Sequence, residues 1–177
     1  MNMGDTTVST RLIAALEDTD AAVRRNAAWA LGNHKDSNAV GPLIKLLEDE
    51  DISVRAAAAW ALGSIAQAGT IDVSAGEPLV SLLAEGDKSA RRNAAWALGY
   101  MAKGGAVETS AVEPLIVLLA DSDAAVRRNV AWALGNLRDP RAIEPLSAVL
   151  ADEDPNVKRN AAWAISWIPL PETELES

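Results

Sequence analysis

The chain has no cysteine and no phenylalanine, and only one tyrosine and one histidine in 177 residues. Without cysteine there can be no disulfide, thiolate-held metal or thiol nucleophile, and a small stapled secreted scaffold is disfavoured. The single imidazole, His34, leaves no histidine pair for a metal and gives a Ser–His relay one candidate only. It lies beside Lys35 and Asp36 in an expected turn, so no metal ligand and no catalytic residue is assigned. Basic charge is scarce too. Sixteen Lys and Arg face twenty-five Asp and Glu, and the net −9 opposes attraction to duplex DNA or anionic lipid. The longest uncharged run, Ala56 to Ile71, is 16 residues and includes Gly63, Ser64, Gln67 and Gly69, whereas a membrane span needs about 20 apolar residues. The opening MNMGDTTVST has no basic stretch followed by an apolar one. The expectation is a cytoplasmic protein with neither nucleic acid nor membrane as partner. There is no P-loop, GxSxG or HExxH. No enzymatic activity and no cofactor are expected.

Alanine and tryptophan are abundant by contrast. Thirty-five alanines argue for closely packed helices rather than sheet. Five of the six tryptophans sit in one recurring phrase: RRNAAWALG (24–32), RAAAAWALG (55–63), RRNAAWALG (91–99), RRNVAWALG (127–135) and KRNAAWAIS (158–166). Trp29, Trp60, Trp96, Trp132 and Trp163 are separated by 31, 36, 36 and 31 residues, the period of a solenoid.

The residue nine before each tryptophan is aspartate (Asp20, Asp51, Asp87, Asp123, Asp154), and eleven before it stands an acid (Asp18, Asp49, Glu85, Asp121, Asp152). The aspartate reads as an N-cap, worth about 1 kcal/mol by accepting from the free N–H groups of a first turn. A helix B follows, with an apolar stripe such as Val23, Ala27, Leu31 or Val126, Val130, Leu134, Leu137 at i, i+4 spacing. Upstream lies a helix A: AVGPLIKLLED (39–49), AGEPLVSLLAE (75–85), AVEPLIVLLAD (111–121) and AIEPLSAVLAD (142–152), with STRLIAALED (9–18) as a degenerate copy. Pro42, Pro78, Pro114 and Pro145 are tolerated if they fall in its first turn. Two units carry extra residues, in AQAGTIDVSAGEP and MAKGGAVETSAVEP, which lengthen a helix or add a short turn.

Helix pairs with PLIxLLxDxDxxVRxxAAxALG resemble HEAT repeats of the short type found in phycobilisome-lyase-like proteins, over residues 8–168. The AWALGN phrase, with Trp29 and Asn33 or Trp132 and Asn136, also resembles the last helix of armadillo repeats such as those of importin alpha. The expected fold is an all-α, right-handed α-solenoid of about five two-helix HEAT-like repeats forming one domain, 1–177. The repeats are placed at 8–36, 37–70, 71–106, 107–139 and 140–168, followed by an acidic tail, 169–177.

The resemblance implies that helix B lines a concave surface. Positions −4, −3, 0 and +4 from each tryptophan fall on one side of that helix. They are Arg25, Asn26, Trp29, Asn33; Ala56, Ala57, Trp60, Ser64; Arg92, Asn93, Trp96, Tyr100; Arg128, Asn129, Trp132, Asn136; and Arg159, Asn160, Trp163, Trp167. Tryptophan offers a flat face, asparagine both donates and accepts, and arginine grips carboxylates. The expected function is a protein-interaction scaffold holding an extended or helical, acidic peptide segment in this groove. A second reading has the tryptophans packing repeat on repeat, with asparagine and arginine satisfying carbonyls. Arg24, Arg55, Arg91, Arg127 and Lys158 are expected to pair with the Asp-x-Asp acids of neighbouring repeats, and Gly32, Gly63, Gly99 and Gly135 to permit close helix packing. A chromophore-handling, lyase-like protein and a purely structural or designed repeat protein are the alternatives. At the C-terminal end, Trp167, Ile168 and Leu170 either cap the stack or pair with a second copy, whose groove the acidic Glu172, Glu174 and Glu176 would enter.

Overall fold

The computed structural model describes residues 3–85, 87–107 and 109–170, and these hold ten α-helices and no strand. The helices form five pairs: α1 (Met3–Ala15) with α2 (Ala21–His34), α3 (Val40–Lys45) with α4 (Ile52–Gln67), α5 (Gly76–Leu82) with α6 (Lys88–Lys103), α7 (Val112–Val117) with α8 (Ala124–Leu137), and α9 (Ile143–Ala148) with α10 (Pro155–Trp167). The second helices pack in series, α2 on α4, α4 on α6, α6 on α8 and α8 on α10, with the first helices as an outer layer. The fold is an α-solenoid.

Each long helix starts where the aspartate column places it. Asp20, Asp51, Asp87, Asp123 and Asp154 are N-caps in extended conformation, and each carboxylate accepts from backbone N–H groups of the first turn. The acid two residues earlier caps the cap. Asp18, Asp49, Asp121 and Asp152 accept from the backbone N–H of Asp20, Asp51, Asp123 and Asp154 at 2.8–2.9 Å.

The first helices are less regular than their leucine spacing suggests. From the second pair onward the α-helical core of 6 or 7 residues is entered through a 3₁₀ turn, and in α3, α7 and α9 it is also left through one. Pro42, Pro78, Pro114 and Pro145 stand at the third position of α3, α5, α7 and α9, where the missing N–H removes no intrahelical bond. The extra residues of the second and third units lengthen α4 and α6 to 16 residues against 14 in α2 and α8. The remainder forms loops that turn at Gly69 (φ 99°) and Gly105 (φ 77°).

Leucines from both layers meet in the middle. Leu43, Leu79, Leu115 and Leu146 of the first helices and Leu31, Leu98 and Leu134 of the second are completely buried, and each contributes roughly 1.5–3 kcal/mol over an exposed side chain. Alanine fills the rest, which keeps the second helices close. No helix among the described residues is long and apolar enough to cross a membrane.

Candidate functional site

The tryptophan column is half-buried along most of its length. Trp60, Trp96, Trp132 and Trp163 are of intermediate exposure, whereas Trp29 is 41% and Trp167 49% exposed. The glycine column explains the difference. A Cβ built on Gly32 would lie 2.7 Å from Trp60 Cζ3, and one on Gly63 2.5 Å from Trp96 Cε3. Trp132 stands in the same way over Gly99, and Trp163 over Gly135. Each indole therefore lies edge-down on the helix before it, in space that only a glycine leaves. Trp29 has no such helix before it and stacks on Trp60 instead, with centroids 3.9 Å apart. Tyr100 bridges the next two indoles, edge-on to Trp96 at 5.1 Å and to Trp132 at 4.8 Å, and its hydroxyl accepts from Gln67 Nε2.

The asparagines at −3 also serve the stack. Asn93 Nδ2 donates to the Ala56 carbonyl at 2.9 Å, Asn129 to that of Arg92 at 3.1 Å, and Asn160 to that of Arg128 at 3.0 Å. Their donors are used between repeats, and Asn93 is buried. Position −3 thus turns one amide donor toward the preceding helix. Asn136 turns back onto the Trp132 carbonyl. Asn26 and Asn33 are exposed and make no hydrogen bond among the described residues.

Two rows of arginine part company. Arg24 forks onto Asp49 at 2.7 and 2.8 Å, Arg91 onto Asp121 at 2.6 and 3.2 Å, and Arg127 onto Asp152 at 2.7 and 2.9 Å. In each case a further nitrogen donates to carbonyls of the arginine's own turn. Arg55 meets Glu85 at 3.1 Å by one nitrogen, and its buried Nε has no partner. These bonds raise the Arg24, Arg91 and Arg127 guanidinium pKa values further. Lys158, in the last unit, is exposed and makes no such bridge. The row one residue later differs. Arg25, Arg92 and Arg128 form no ion pair among the described residues, and Arg159 only reaches Asn156 on its own helix.

Between α2, α4 and α6 lies a hollow of about 250 Å³, floored by Ile52, Ala56 and Ala57 and walled by Arg25, Trp29 and Arg92. It exists because the second repeat has Ala56 and Ala57 where the others have Arg and Asn. That break in the column was its signal in the sequence. Asp87 also lines it, its Oδ1 accepting from the N–H groups of Ser89 and Ala90, so the hollow holds one carboxylate beside its two arginines.

At the C-terminal end Ile168 is buried, Leu170 is 75% exposed, and the Arg138 guanidinium lies 5.0 Å over the Trp167 ring. The acidic positions Glu172, Glu174 and Glu176 lie outside the described residues. Among the described residues no cluster of three or more His, Asp or Glu is placed to hold a metal ion.

A family model described as HEAT repeats matches residues 9–99 and, in an overlapping second match, 76–166. Among solved structures, an engineered protein is 29% identical with a TM-score of 0.80, over 95% of this chain and 80% of that one. The complex of CpcE and CpcF of phycocyanin lyase from Nostoc sp. PCC7120 is 27% identical with a TM-score of 0.76, over 90% of this chain and 64% of that one. A designed armadillo repeat protein in complex with the peptide (KR)4 is 24% identical with a TM-score of 0.76, over 94% of this chain and 84% of that one, a likeness of fold. No curated protein matches the chain.

Proposed function

The chain belongs to the HEAT-repeat family, and from that premise we propose that it is a non-enzymatic, cytoplasmic scaffold that binds an acidic, extended peptide segment of a partner along its row of second helices. The observation that carries this reading is the hollow at Ala56 and Ala57, flanked by Arg25 and Arg92, two guanidinium groups that form no ion pair among the described residues, with the helix-capping Asp87 as its one carboxylate. A volume of about 250 Å³ suits one anchoring side chain, whereas sites for whole small molecules run to about 300–1,000 Å³. Arg128 and Arg159 continue the same row further along the stack. The binding residues are then fewer than the sequence pattern offers: Arg25, Arg92, Arg128 and Arg159 for charge, with the open edges of Trp29, Trp60, Trp96 and Trp132 for contact. The designed armadillo neighbour holds a lysine–arginine peptide. A row of arginines here repels such a cargo, so the charge of the partner is reversed.

The test is fluorescence anisotropy with a labelled peptide of alternating Glu and Asp, and with one of alternating Lys and Arg as control. The acidic peptide is expected to bind and to weaken with salt. Arg25→Ala together with Arg92→Ala lowers affinity roughly tenfold, since exposed ion pairs are worth up to about 1 kcal/mol each. Ala56→Leu fills the hollow without adding charge and blocks the anchor. Binding of the basic peptide instead, or acidic binding indifferent to all three changes, overturns the reading. A second reading, pigment handling, draws on the 27% identity to the lyase complex and on the exposed Trp29–Trp60 stack. Visible absorbance that develops with the protein on adding a bilin would favour it.

A further inference from the structure

The four junctions between successive second helices share the contact of an indole with a glycine, and three of them, all but α2–α4 where Ala57 replaces asparagine, share an amide bond as well. Counting from each tryptophan, residues −6, −3, 0 and +1 of one helix press against the helix before it, where 0 and +1 meet the glycine at +3 and an asparagine at −3 meets the carbonyl at −4. Thus Asn160 donates to the Arg128 carbonyl, while Trp163 and Ala164 cover Gly135. At −6 in the later repeats, Val54, Ala90, Val126 and Val157 are completely buried, as are Ala61, Ala97, Ala133 and Ala164 at +1.

Helix α2 carries the same residues on the same face: Val23, Asn26, Trp29 and Ala30. Among the described residues no second helix precedes α2, and the Trp29 indole stacks on Trp60. Val23 is 37% and Trp29 41% exposed, and Asn26 is exposed with its donor unused among the described residues. Four uncharged residues, with an amide donor and an indole that would turn from Trp60 toward a preceding helix, form one half of a junction whose glycine side is seen four times and whose carbonyl side is seen three times in this fold.

The opposite end of the stack is closed to such a junction. Ser166 stands where the other repeats have glycine, and its hydroxyl is bonded to the Trp163 carbonyl. A Cβ at the corresponding glycines would lie 2.5–2.7 Å from an indole carbon, or closer, so a tryptophan cannot settle over Ser166 in the same way. A second copy therefore offers no complement to α2. Its last helix lacks the glycine, and its own α2 presents tryptophan against tryptophan.

We propose that the outer face of α2 is a docking surface for the terminal helix of a HEAT-type repeat on a different chain. That helix would bear a glycine seven residues after a backbone carbonyl open to a second donor, to receive Trp29 and Asn26. The proposal continues an interface already present within the molecule, and it does not depend on the groove. Its partner is recognised by shape and by one hydrogen bond, without charge.

The probe is this protein itself with its closed end opened. Ser166→Gly with Trp167→Asn restores the glycine and removes the bulky neighbour, and Trp29→Asp in the same chain blocks its own receiving face. Mixed with wild type, this donor is expected to form a one-to-one complex in sedimentation velocity, and the complex is lost when the receiving chain carries Asn26→Asp. A donor that folds, yet leaves wild type sedimenting as it does alone, overturns the proposal. Should the donor fail to fold, a copy of residues 107–139 fused ahead of Met1 supplies the same helix. Trp29 then becomes protected from iodide quenching; emission as readily quenched as in the unfused chain overturns the proposal equally.

Discussion

Arg127 and Arg128 are adjacent in the chain, yet one is nearly buried beneath the turns of two repeats and the other stands in solvent. Neighbouring helix residues point about 100° apart, and here that angle separates a structural row from a free one. Arg24, Arg91 and Arg127 each hold the acid of the next repeat and the carbonyls of their own turn, so one side chain ties two loops that no backbone bond joins. Arg25, Arg92 and Arg128 hold no acid among the described residues. The lesson is that a doubled arginine in a repeat is not one feature. The first residue closes the stack, and the second forms no ion pair among the described residues.

Acid should break the inner row first and most completely. Hydrogen bonds from Arg127 hold the Asp152 carboxyl below its usual range. For Asp49 and Asp121 burial pushes the other way, but the bonds from Arg24 and Arg91 and from backbone N–H groups outweigh it, so both are also depressed. With a depressed folded value, the unfolded chain binds more protons in acid. The stabilisation is then complete above the unfolded value, near pH ~4, and is lost as pH falls through the folded values. The melting temperature is expected to hold between neutrality and about pH 5 and to fall below about pH 4. Thermal melts that improve between those two points would contradict it. Next in size is Arg127→Ala, which leaves Asp152 nearly buried without its cation and should cost about 2–3 kcal/mol in urea unfolding. Arg127→Lys keeps the charge but not the fork, and recovers only part of the loss.

The inner row was legible in the sequence because it rests on spacing alone. An arginine five before the tryptophan and an acid eleven before the next one recur at every junction, and packing by the glycines was equally readable. What they pack against was not. Neither the glycine column nor RRN decides between a binding and a packing role for tryptophan and asparagine, and nothing there tells that asparagine turns back to a carbonyl while the second arginine stays largely exposed. Both depend on the rotation between stacked helices, which no local pattern encodes. Val23 shows the same limit. It repeats the stripe residue that is buried at Val126, yet it is exposed because burial at that position comes from the preceding repeat. The 3₁₀ ends of the first helices were likewise hidden, since 3₁₀ and α turns share one leucine spacing.

A smaller change should sharpen the comparison within the inner row. Arg55 is its weak member, with a single contact to Glu85 and a buried Nε without a partner. The other three rungs end in aspartate. Glu85→Asp shortens the acid to match them, and recovering the missing bond should raise stability by about 1 kcal/mol. An unchanged or lower urea midpoint would mean that the second junction is set by its backbone rather than by the acid's length.

The smallest effect is expected in the outer row, and it is the one on which the distinction rests. Arg128 is exposed and has no carboxylate; what its residue gives the stack is the backbone carbonyl that receives Asn160. Arg128→Ala keeps that carbonyl. Alanine is also at least as good a helix former as arginine. Stability in urea should therefore stay within about 0.5 kcal/mol of wild type, while affinity for the alternating Glu–Asp peptide falls. The pairing of those two results matters more than either alone, because a side chain kept for the fold would move both. A loss above about 1 kcal/mol would place Arg128 in the stack with Arg127, and the groove would then be left with Arg25 and Arg92 as its cations beside the hollow.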